Sequence, residues 1–160
     1  MSQKRKKALT EKQQESLYRD GTNFEKHNES YKKVYTMLLV FAEGSLKEAG
    51  KDVSDLSQRE LDIIIAYLGG AINFASHYLK LVEKRQSAFV LSFLVEVLFS
   101  GDYKKMSKAD HLLDQAVADK ELLTLAQTGA KTVSLFSRKG SDKTELLSVL
   151  RQEFEKLETP

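Results

Sequence analysis

Residues 57–99 read SQRELDIIIAYLGGAINFASHYLKLVEKRQSAFVLSFLVEVLF, and the reading of this stretch decides the fold. It opens on a capping box, Ser57-Gln-Arg-Glu60, in which the serine hydroxyl takes the Glu60 amide and the glutamate reaches back to the serine amide. An apolar helix to about Lys84 is expected behind it. Leu61, Ile64, Ile65, Leu68, Ile72, Ala75, Leu79 and Val82 recur at helical steps on one face. Ile63, Tyr67, Phe74, Tyr78 and Leu81 cover another. Small or polar residues leave only a narrow stripe along Asp62, Ala66, Gly69 and Asn73. A second helix of the same kind is expected from about Arg85 to Ser100. Its one relief is the row Ala88, Ser92, Glu96, Ser100 at four-residue spacing, and Gly101 ends it.

A helix that is apolar all round has to be covered all round. Two in succession predict an all-α bundle with two consecutive, largely buried central helices. They also predict apolar circumference that the rest of the chain has difficulty hiding. Each large side chain left in water forgoes roughly 1.5–3 kcal/mol, so self-association or a protein partner is expected. The aromatic residues Tyr67, Phe74, Tyr78, Phe89 and Phe93 are the interface candidates, since aromatics anchor interfaces. Gly69-Gly70 inside the first of these helices marks a close approach of another helix, within the chain or from outside it.

Working outward, a helix over Glu29–Ala49 carries Tyr31, Val34, Tyr35, Leu38, Phe41, Ala42 and Leu46 inward and stops at Gly50, where a left-handed cap is expected. Before it, a polar helix over about Ala8–Arg19 leads to a turn at Asp20-Gly21-Thr22-Asn23. After the central pair, a helix begins at Ser107 or Asp110 and runs to about Gln127, closed by Gly129. Residues 131–140 read equally as a helical turn or as an extended segment. A last helix runs from Ser141 or Asp142 to about Leu157. The total is five to six helices in one domain over residues 8–160, with residues 1–7 a disordered basic tail.

The chain has 160 residues, no cysteine, no tryptophan and a single proline, Pro160. Without cysteine there is neither a disulfide nor a thiolate site. The longest apolar run, Ala88–Phe99, spans about 18 Å as a helix against a bilayer core of roughly 30 Å. No membrane partner is therefore expected. Nothing resembling an export signal stands at the start, and the expected location is cytoplasmic. Charge is uneven. The first 12 residues hold five basic against one acidic side chain, the rest 20 against 22. Lys4, Arg5, Lys6 and Lys7 are thus candidates to contact nucleic acid or an acidic partner.

No chemical motif is complete. Gly44 to Asp52 has the flavour of a phosphate-binding loop, but the spacing is one residue too long. Asp52 also replaces the magnesium-binding hydroxyl, and no strand precedes the segment. Asp110-His111-x-x-Asp114 lacks a second cluster that would complete a metal site, and its acids suit a helix N-terminus. His77 and Glu96 form an acid–base pair only if the two central stripes face each other. No cofactor and no metal are expected. The reading is a non-enzymatic helical interaction protein acting through apolar helix faces. The alternative is a nucleic-acid-associated protein using its basic tail.

Overall fold

The computed structural model describes residues 9–22, 29–78, 83–138 and 143–158. Among these there are only helices and short turns. In order they are α1 (Glu11–Thr22), α2 (Glu29–Ala49), α3 (Gln58–Tyr78), α4 (Glu83–Leu98), α5 (Met106–Ala118), α6 (Lys120–Phe136), α7 (Lys143–Leu147) and α8 (Val149–Glu158). The last two join at Ser148 into one bent unit, so the described chain has seven helices where five to six were expected.

The extra helix comes from Asp119. Its side chain accepts hydrogen bonds from the Glu121 and Leu122 amides at 2.9 and 3.1 Å, which starts a new helix one residue after α5 ends. From there α6 runs straight through Gly129 to Phe136, so Gly129 closes nothing and the undecided segment is helical up to that point. Other local signals are realised as written. Ser57 and Glu60 close the capping box with reciprocal bonds of 3.0 and 3.1 Å. Gly50 ends α2 at φ +65°, a backbone that side chains with a Cβ adopt only under strain. The N-terminus of α5 is capped from a distance. Gln14 of α1, itself buried, accepts the Ser107 amide through Oε1, and Ser107 Oγ takes the Leu9 amide.

The core is organised on α3, which packs against α6, α4 and α5, with its second face turned to α2 and α8. Its closest neighbour is α6. A Cβ on Gly70 would overlap the Ala126 carbonyl oxygen and stand 2.6 Å from its carbonyl carbon. A Cβ on Gly129 would overlap the Tyr67 carbonyl oxygen in the same way. The two glycines therefore let the backbones of α3 and α6 touch, and the approach marked by Gly69-Gly70 lies within the chain. On the other face, Phe41 of α2 stacks on Tyr67 at 5.9 Å and meets Phe136 edge-on at 5.4 Å.

The small row on α4 is the seat of α1. Gly21 lies in helical conformation inside α1, not in a turn. A Cβ there would overlap Ser92 Oγ and come within 2.5 Å of the Ala88 carbonyl oxygen. Ser92 donates to the Leu17 carbonyl at 3.0 Å, Tyr18 donates to Glu96, and Tyr31 of α2 donates to the Gly21 carbonyl. Ala88, Ser92 and Glu96 are spaced to receive a helix along their row, which explains why that one stripe of α4 is not apolar.

Candidate functional site

Among the described residues, three of the aromatics expected to need an outside cover are covered from within. Tyr67 and Phe93 are 0% exposed and Phe89 is 1% exposed. Tyr31 and Tyr35 of α2 close over Phe89 and Phe93 with ring centroids 5.1–6.2 Å apart. These three aromatics are core residues and offer no docking surface in the folded chain. Phe74 is half-buried against the same core, and the side chain of Tyr78 lies outside the described residues. Lys4, Arg5, Lys6 and Lys7 also lie outside them. The physical reason for the correction is the aromatic content of α2. Its large rings span the gap to both central helices, so one helix hides two faces.

What remains on the surface is elsewhere. Among the described residues the exposed large apolar side chains are Val40, Val117 and Leu123. Two of the three meet at one place. Val117 (70% exposed) ends α5 and Leu123 (41% exposed) begins α6, on either side of the Asp119 elbow. They stand on the rim of a cleft of about 500 Å³ between α3, α4, α5 and α6. Its floor is Ala66, Gly69, Gly70 and Val90, and among the described residues the ionisable side chains on its walls are Asp110 and Asp114. The floor is deep because its residues are small. A Cβ on Gly69 would stand 2.6 Å from a methyl of Leu113, which lines the same cleft.

The chemical candidates from the sequence do not assemble. His111 is exposed beside Asp110 and Asp114, and no group of three metal-ligating side chains forms among the described residues. Glu96 serves Tyr18 on α1, where it helps push the phenol up to about 12, behind the larger effect of burial. No hydrogen bond or ion pair joins it to the exposed His77. Among the described residues no helix is long and apolar enough to cross a membrane. Sequence periodicity does not mark the Val117–Leu123 rim, because it runs one helix straight through the elbow. An aspartate followed by Lys-Glu-Leu-Leu was the available signal.

Fold and cleft together define an all-α helical bundle with a grooved surface. Comparison with protein-family models, with curated proteins and with solved structures finds no match.

Proposed function

We propose that the chain is a non-enzymatic helical interaction protein, and that its α3–α6 cleft receives an apolar side chain from a helix of a partner protein. The observation that carries this reading is the pairing of Val117 and Leu123 on one rim. Covering them would gain roughly 1.5–3 kcal/mol each, and a small-residue floor behind them leaves room for an inserted side chain.

The test is site-specific photocrosslinking in the source cells, with benzoylphenylalanine at position 117 and, as control, at exposed Glu43 on α2. A discrete adduct is expected from position 117 alone. It should disappear with Leu123→Asp. Equal adducts from both positions, or an adduct indifferent to Leu123→Asp, would defeat the proposal.

A further inference from the structure

The remaining exposed apolar side chain, Val40, marks a different place. It stands 55% exposed in a groove of about 440 Å³ between α2, the end of α6 and the start of α7. Met37 and Phe136 form the floor. Lys32 and Lys33 stand on one side and Lys143 on the other. Lys33, Met37 and Val40 follow one helical stripe of α2. Lys143 Nζ lies 5.0 Å from the centre of the Phe136 ring, which fixes a positive charge over the apolar floor.

Two features set this groove apart. Among the described residues no carboxylate lines it. None of its three lysines makes an ion pair with a described residue. The described body is close to neutral, so three ammonium groups around an exposed valine are a local excess of positive charge among the described residues.

We infer that this groove docks an acidic amphipathic helix of a partner protein, an apolar residue of that helix resting on Met37, Val40 and Phe136 and its flanking carboxylates meeting Lys32, Lys33 and Lys143. The inference stands independently of the α3–α6 cleft. A nucleic-acid strand would meet these lysines through its phosphates alone, because the Phe136 ring is 2% exposed and offers its bases no stacking face. A membrane would need more apolar reach than one exposed valine supplies.

The test uses the full chain and a fluorescein-labelled synthetic helix of about 18 residues, long enough to be partly helical alone. Leucine stands at one face and glutamate elsewhere, and a control peptide carries lysine for glutamate. Anisotropy titration at low salt should show saturable binding of the glutamate peptide alone, weakening as salt is added. The triple variant Lys32→Glu, Lys33→Glu, Lys143→Glu should raise Kd about tenfold or more, and Val40→Asp should raise it too. Val117→Asp with Leu123→Asp should leave it unchanged, which separates this site from the cleft. Circular dichroism checks that each variant is folded. Four results would overturn the inference. They are equal binding of the lysine peptide, undiminished binding by the triple variant, loss of binding on changing Val117 and Leu123, and lysine-dependent binding of phosphatidylglycerol vesicles or single-stranded DNA with none of the peptide.

Discussion

Replacing a helical glycine by alanine ordinarily stabilises a protein by about 1 kcal/mol. At Gly70 the opposite is expected. The added methyl would stand 2.6 and 2.7 Å from the carbonyl carbon and Cα of Ala126, both backbone atoms of α6. Backbone cannot rotate aside, so α3 and α6 must part by nearly 1 Å, an order of magnitude that forfeits a quarter to a half of each dispersion contact across the seam. Leu122, Leu125 and Val133 are buried on the α6 side of that seam. Overpacking of this kind costs about 1–3 kcal/mol and more where backbone is involved. After the propensity gain, a net loss of up to roughly 2 kcal/mol is expected. For a chain of this size that is a fall in Tm of up to roughly 8 °C. Gly69 is the internal control, because it has the same helix and the same propensity gain. Its methyl would meet a terminal methyl of Leu113 at 2.6 Å, and that half-buried side chain lines an open cleft into which it can turn. Gly69→Ala should therefore melt within a few degrees of the parent, on the order of a 1 kcal/mol change either way. The assay is thermal and urea unfolding followed by far-ultraviolet circular dichroism. Equal melting of the two variants, or Gly70→Ala melting above the parent, would refute the claim that α3 and α6 are in backbone contact here.

Two further outcomes follow from polar groups in the core and at the α3 cap. Tyr67 is fully buried, its phenol pushed up to about 12 chiefly by burial, and no hydrogen bond closes on its Oη among the described residues. The neighbouring Thr132 hydroxyl donates to the Thr128 carbonyl instead. Tyr67→Phe removes an unpaired group and should be neutral to about 1–3 kcal/mol stabilising in urea titration. A loss above about 1 kcal/mol would mean that the hydroxyl is bonded after all. The Glu60 carboxyl is held below its ordinary value of 4.5 by Lys51, 2.8 Å away, and then by the Ser57 amide. A depressed folded value means stability that is present above the ordinary value and lost as the pH falls through the lowered one. Glu60→Gln should thus be less stable than the parent at about pH 7, with the gap closed in acid below that lowered value. A gap that is the same at both would contradict it.

Sequence alone settled what depends on a few adjacent residues. The ends of α2, the left-handed cap at Gly50 and the capping box at Ser57–Glu60 are short-range hydrogen-bond and backbone problems, solved within one turn of chain. The apolar periodicity of residues 61–99 also sufficed to make α3 and α4 the buried centre. Tertiary structure decided everything that turns on what a face meets. Gly21, Gly70 and Gly129 look alike in a sequence, because the absence of a Cβ serves a turn, a cap or a close approach equally. Only the partner backbone shows that all three are approaches. Phe89 and Phe93 are as greasy in a core as at an interface, and only the position of Tyr31 and Tyr35 assigns them to the core. Among the described residues, the apolar surface that remains, at Val117 and Leu123 and at Val40, consists of single residues that no periodicity announces. Exposure is the area left after every helix has packed, and that is a property of the assembled bundle rather than of any segment in it.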